Sequence, residues 1–197
     1  MAGTVKKGNE VATIDVAMVS ISTYKDLTQE LVLTTANQIQ TTVATETTEK
    51  IPLIVKGVLI AQKPAETTIT GNTLVLTDNV FNAELVKILQ GGTIEYAEDG
   101  TTFKKYTPPV AGSSEKGELF KTKAYSAIYN AAGVITGYEC ITYPNCQGSP
   151  VAFNSQDGVF RAPEYTINSA PANGEPPYEI EIVDALPVVT EAPANAE

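Results

Sequence analysis

The sequence predicts a mainly β protein, an antiparallel β-sandwich or barrel-like fold flanked by one α-helix, and three observations carry that expectation. Apolar and polar residues alternate with a period of two along most of the chain, the pattern of strands with one solvated face. Threonine and valine, which suit a pleated and half-buried surface, are abundant. Only one window, about 79–90, shifts to helical spacing.

Taken in order, residues 1–10 read as an N-terminal arm, 11–186 as one folded domain and 187–197 as a flexible C-terminal arm. At the start of the domain Ile14, Val16 and Met18 face one way while Thr13, Asp15 and Ala17 face the other. From 37 to 45, Ile39, Thr41 and Val43 oppose Gln38, Gln40 and Thr42. Residues 51–61 are more evenly apolar, which predicts a strand central in the sheet. Residues 67–70 and 73–77 flank Gly71 and Asn72, a pair suited to the positive φ of a tight hairpin turn.

The helical window follows. Asp78 or Asn79 caps it, Phe81, Leu85, Ile88 and Leu89 share one face, and Gly91 and Gly92 end it. A second hairpin joins 93–97 to 101–106 across Glu98, Asp99 and Gly100. Beyond the Pro/Gly/Ser loop at 108–117, strands are expected at 119–129 and 134–143, then short pieces at 151–153 and 159–160. Two more follow at 164–168 and 178–183, separated by a turn-rich link at 169–177.

Composition excludes several chemistries. The chain of 197 residues contains no histidine, so Ser-His and Cys-His nucleophiles, His-bearing zinc sites and the usual base near neutral pH are ruled out. No Gly-rich loop ends in Lys-Ser or Lys-Thr, and no dinucleotide fingerprint follows a strand. Cys140 and Cys146 are too few for a disulfide framework and, lacking histidine, make a poor metal set. Both are expected reduced, although a turn at Pro144 and Asn145 would bring them within bridging range. Neither cofactor nor catalytic residue is expected.

Three constellations merit weighing. Glu95, Glu98 and Asp99 are close enough to suggest a glycosidase pair, but they flank a turn where polar residues belong, and they lack calcium-loop spacing. Tyr125, Tyr129, Tyr138 and Tyr143 suggest a stacking platform for bases or sugars; without a basic groove, core or interface packing is the better reading. Glu179 and Glu181 alternate with Ile180 and Ile182, and Glu164, Thr166 and Asn168 with Tyr165 and Ile167. If those strands pair, with the isoleucines in a core, Glu164, Glu179 and Glu181 form one acidic face. That face is either an ordinary solvated one or a surface that lets a polyanion pass without sticking.

Charge favours no nucleic-acid grip. The formal net charge is −10, and residues 124–197 carry nine acidic groups against Arg161 alone. No run approaches the roughly 18 apolar residues of a membrane-spanning helix. Residues 1–10 carry Lys6 and Lys7 but lead into no continuous apolar segment, so no secretory leader is expected.

Several runs together resemble a known family. They are Gly57-Val58-Leu59-Ile60-Ala61-Gln62-Lys63-Pro64 through Thr70-Gly71-Asn72, Leu76-Thr77-Asp78-Asn79-Val80-Phe81 and the helix to Gly92, Tyr143-Pro144-Asn145-Cys146-Gln147-Gly148-Ser149-Pro150-Val151, and Arg161-Ala162-Pro163-Glu164-Tyr165-Thr166-Ile167-Asn168-Ser169-Ala170-Pro171. With the intervening strands they cover most of 51–186, and they resemble the tail tube, or major tail, proteins of tailed bacteriophages and prophages of Gram-positive bacteria. The resemblance implies a tail tube β-sandwich that assembles into hexameric rings stacked as a hollow tube. It implies a virion protein assembled in the host cytoplasm, with itself, sheath, tape measure and tail terminator proteins as partners, and DNA passing unbound through the lumen. The family offers no catalytic residues to carry over. The lumen expectation for Glu164, Glu179 and Glu181 rests on alternation and charge alone, and 46–50, 108–117 and the termini are candidate contacts between rings. Other readings are a different virion or injection-machine sandwich, such as a secretion-tube or decoration protein, and a carbohydrate-binding adhesive module.

Overall fold

The computed structural model describes residues 10–189. In chain order the elements are β1 (Thr13–Thr23), β2 (Asp26–Leu33), β3 (Ala36–Thr47), β4 (Ile51–Val55), β5 (Val58–Lys63), β6 (Thr67–Asp78), α1 (Ala83–Gln90), β7 (Thr93–Tyr96), β8 (Phe103–Thr107), β9 (Phe120–Tyr129), β10 (Ile135–Gly148), β11 (Glu164–Ser169) and β12 (Glu179–Val183). The fold is therefore mainly β, with antiparallel sheets and a single helix among the described residues. The arms expected at 1–10 and 187–197 lie outside the described residues except for Glu10 and 187–189.

Eight strands form one sheet in the order β2-β1-β9-β10-β11-β6-β3, with β12 also paired to β10. The sheet folds over on itself. Val19 and Ile21 of β1 and Leu33 of β2 share a core with Leu74 and Leu76 of β6 and Tyr165 and Ile167 of β11, from the far side of the sheet. The helix adds Leu85, Val86 and Leu89 to the same core. A smaller cluster of Met18, Tyr125 and Cys140 lies on the opposite face, where Val183 and Leu186 pack over it.

Helix placement follows from local chemistry. Asn82 is the N-cap, its Oδ1 accepting the Leu85 amide at 3.0 Å. The expected cap, Asp78, instead accepts from the Thr35 hydroxyl at 2.6 Å and closes the end of β6, so the helix starts at Ala83. Gly91, at φ 83°, ends it and donates to the Lys87 carbonyl at 2.8 Å. A Cβ on Gly148 would lie 2.5 Å from Leu89, so glycine on β10 is what lets the helix sit flush.

Several expected elements are corrected. Gly71 and Asn72 make no turn; they lie buried within the continuous strand β6. Glycine is needed there because a Cβ would come within 2.4 Å of the Ser169 carbonyl, and Asn72 donates to the Pro177 carbonyl at 2.9 Å. The alternation of Ile14, Val16 and Met18 fails because the chain bulges at Asp15, φ 62°, leaving Ile14 exposed and Met18 buried. Residues 151–153 and 159–160 form no strand, while β2 was not anticipated. Pro144 and Asn145 form a bulge, with Asn145 at φ 46°, and β10 runs on through it. Cys140 and Cys146 therefore stay apart as free, buried thiols in the two separate clusters.

Candidate functional site

The β7–β8 hairpin forms across Glu98, Asp99 and Gly100 as expected. Asp99 accepts from the Thr102 hydroxyl and from the Thr101 and Thr102 amides, the amides at 3.0 and 2.8 Å. Those bonds hold its carboxyl down to about 2. Glu95 lies 3.4 Å from Lys105 on the neighbouring strand. The carboxylates of this hairpin shape its turn and flank.

Of the four tyrosines, Tyr125 and Tyr143 are buried and Tyr138 is half-buried, with Tyr129 at the surface. Tyr143 bonds Thr41 at 3.1 Å and stacks obliquely on Tyr178 at 6.4 Å. Burial raises the Tyr125, Tyr143 and Tyr165 phenols and both thiols above their ordinary values. Tyr125 and Tyr143 are thus packing residues.

The three expected acidic-face residues are exposed. Glu164 is opposite Thr77, Glu179 opposite Thr142 and Glu181 opposite Cys140. Here the expected pairing is corrected. β11 and β12 do not pair with each other; both run antiparallel to β10, β12 along 138–142 and β11 along 146–148. The carboxylates still share the sheet face turned away from the main core, since Tyr165 and Ile167 point into that core and Cys140 away from it. The face is not purely acidic: register aligns Ser20, Lys123, Thr142 and Glu179 across it, and Lys123 binds Glu30 at 2.9 Å.

Ile180 and Ile182 were expected in a core and are instead 56% and 55% exposed. They belong to the rim strand β12, whose one strand partner among the described residues is β10, and no layer covers them. Tyr178, just before β12, is also at the surface.

A second surface was misplaced by the sequence reading. The apolar run at 51–61 is not central; it is most of the β4–β5 hairpin, turning at Lys56 and Gly57 with φ 50° and 81°. Positive φ at both central residues is what the right-handed twist of a two-residue turn requires. Every residue from Ile51 to Lys63 is exposed, and its large aliphatic side chains are 48–64% exposed. Register places Leu53, Val55, Val58 and Ala61 on one face and Ile54 and Leu59 on the other, with Ile60 bulged between. Both faces are apolar and both are bare. The outer parts of β3 and β6 carry the hairpin outward as an arm, tied at its root by Thr47 and Thr67 at 2.9 Å. The candidate contact 46–50 falls at that root, and 108–117 is a largely exposed loop.

No family model matches the chain, and no curated protein does. Among solved structures, a chain from the six-fold symmetrised cryo-EM structure of the anti-feeding prophage baseplate aligns with 92% of this chain and 95% of its own length. Identity is 8% and the TM-score 0.32, a likeness too slight to carry an argument about function.

Proposed function

We propose that this chain is a non-enzymatic structural subunit of a phage tail, assembling with copies of itself into hexameric rings that stack as a hollow tube for DNA. The observation that carries the reading is the β4–β5 hairpin. Its composition is that of a strand buried on both faces, yet its own chain leaves both faces exposed. Exposed apolar surface of this extent marks a site that another molecule covers. Assembly also gives a partner to the edge of β3, which pairs only with β6 among the described residues and has neither charge nor proline between Asn37 and Thr45 to keep strands away. The resemblance of 51–186 to tail tube proteins supplies the geometry of rings, the virion location, and sheath, tape measure and terminator proteins as further partners.

In this reading the face bearing Glu164 lines the bore, with Glu179 and Glu181 at its rim. A wall rich in carboxylates and hydroxyls, whose Lys123 is already engaged by Glu30, offers phosphates few cations to displace their counterions, so DNA slides. Electron microscopy and sedimentation of the purified protein test the proposal. Rings or hollow tubes are expected; a monomer at all accessible concentrations, or one that binds glycans tightly as a monomer, rejects it.

A further inference from the structure

We infer that the β4–β5 hairpin of one copy docks along the free edge of β12 in a second copy, an inference that rests on the assembly reading above. The hairpin is basic as well as apolar: Lys50, Lys56 and Lys63 punctuate it, and no acidic residue lies between 50 and 63. At its root Lys50 and Lys63 sit beside Glu46, Glu49 and Glu66, and Lys56 at the turn is the positive charge farthest from those carboxylates. The sign of the hairpin is the reverse of the chain as a whole, whose net charge is −10.

β12 has the complementary character. Ile180 and Ile182 are bare, and Glu179, Glu181 and Asp184 lie beside them. The nearest lysine rows are on β9, beyond β10, and there Lys123 is engaged by Glu30. Arg161, the one basic residue after 123, is held over the rings of Phe81 and Phe153 at 5.6 and 5.5 Å. The ion pairs among the described residues are Lys25–Glu118, Lys105–Glu95 and Lys123–Glu30. Neither the hairpin lysines nor the β12 carboxylates take part in them.

Backbone chemistry selects the docking strand. β4 contains Pro52, which lacks a donor, whereas the six residues of β5 all carry an N–H. β5 laid against the open edge of β12 satisfies both backbones, and in the register that turns Leu59 towards Ile180 and Ile182, Val58, Ala61 and Lys63 fall on the side of Glu179 and Glu181. Lysines from the hairpin meet carboxylates at the rim. The contact joins two different surfaces, so it propagates head to tail and closes a ring when the rotation permits.

Charge exchange tests this. Lys56→Glu with Lys63→Glu, or Glu179→Lys with Glu181→Lys, is expected to raise the concentration needed for assembly about tenfold or more. A chain carrying all four changes is expected to return to within about threefold of the parent. Mixing a Lys56→Cys chain with a Glu179→Cys chain, whose new thiol lies opposite Thr142 and not opposite Cys140, should give an inter-chain disulfide under mild oxidation, a readout independent of the charge-reversed variants' folding. Parent protein that assembles while the reversals have no effect, a fourfold variant no better than either pair, or no cross-link overturns the docking and leaves the assembly reading standing. A parent chain that never assembles sinks both. Binding of vesicles containing anionic phosphatidylglycerol, lost in the lysine reversals while the β12 reversals assemble normally, would make a membrane the occupant and overturn the proposal.

Discussion

Replacing Ile54 and Leu59 together by threonine separates protomer stability from assembly. The two side chains face each other across the hairpin and are 59% and 52% exposed. Since more than half of each is already in water, and threonine keeps a strand former at each site, the isolated protomer should change by no more than about 0.5 kcal/mol. Covering the hairpin is different. Full burial of a leucine or isoleucine contributes about 1.5–3 kcal/mol, so the half still to be buried is worth about 1 kcal/mol at each position. The pair should weaken assembly by about 2 kcal/mol, or roughly 30-fold in the concentration at which rings appear. Sedimentation velocity with negative-stain microscopy measures the second quantity, and thermal unfolding of dilute, unassembled protein the first. An unfolding midpoint lowered by more than about 5 °C would show that the hairpin packs within its own chain. Assembly at the parent's concentration would show that its apolar faces cover nothing.

Other perturbations address the scaffold. Gly71→Ala puts a methyl within 2.4 Å of a backbone oxygen that cannot move without breaking the β6–β11 ladder, so chemical denaturation should show a loss of about 1–3 kcal/mol. Asn82→Ala removes the helix cap at a cost of about 1 kcal/mol, read the same way, whereas Asp78→Asn leaves helix content by circular dichroism unchanged. Burial alone would raise Glu30, but the Lys123 ammonium together with neighbouring serine hydroxyls outweighs it and holds the carboxyl below its ordinary 4.5. Its stabilisation is thus present above pH 4.5 and is lost as pH falls through the lower folded value; Glu30→Gln should flatten the acid limb of a stability-against-pH curve. Buried Cys140 and Cys146 are raised above 9.0, and Tyr143 and Tyr165 above 10.0, so the unfolded chain ionises first. Denaturation midpoints should hold steady below pH 9 and fall as pH rises beyond it.

Where local signals agreed with tertiary demands, the sequence was readable. Alternation located β3, β9, β11 and β12 within a few residues, and Asp99 with Gly100 marked the β7–β8 turn. Position within the sheet was harder. Gly71 and Asn72 look like a turn because glycine often supplies positive φ, but here glycine answers a steric demand from a strand some hundred residues away. β2 escaped notice because Leu27, Leu31 and Leu33 mix helical and strand spacing. The run at 51–61 reads as central because it is evenly apolar, but it forms an exposed hairpin, since composition alone does not say where in a sheet, or beyond it, a segment lies. The acidic trio was legible as exposed carboxylates; its interruption by Lys123 depends on register across β9, β10 and β12, which no local window contains.

The placement of β10 bears on how a subunit fails under tension. Fourteen residues long, it is bonded to β9 on one edge and to β12 and β11 in succession on the other, and its side chains enter both apolar clusters. A pull along that strand must shear many hydrogen bonds together. The arm is held by a two-stranded ladder, which opens one bond at a time when its tip is drawn sideways. If copies join through their hairpins as proposed, a strained assembly would part at its arms while the bodies kept their shape.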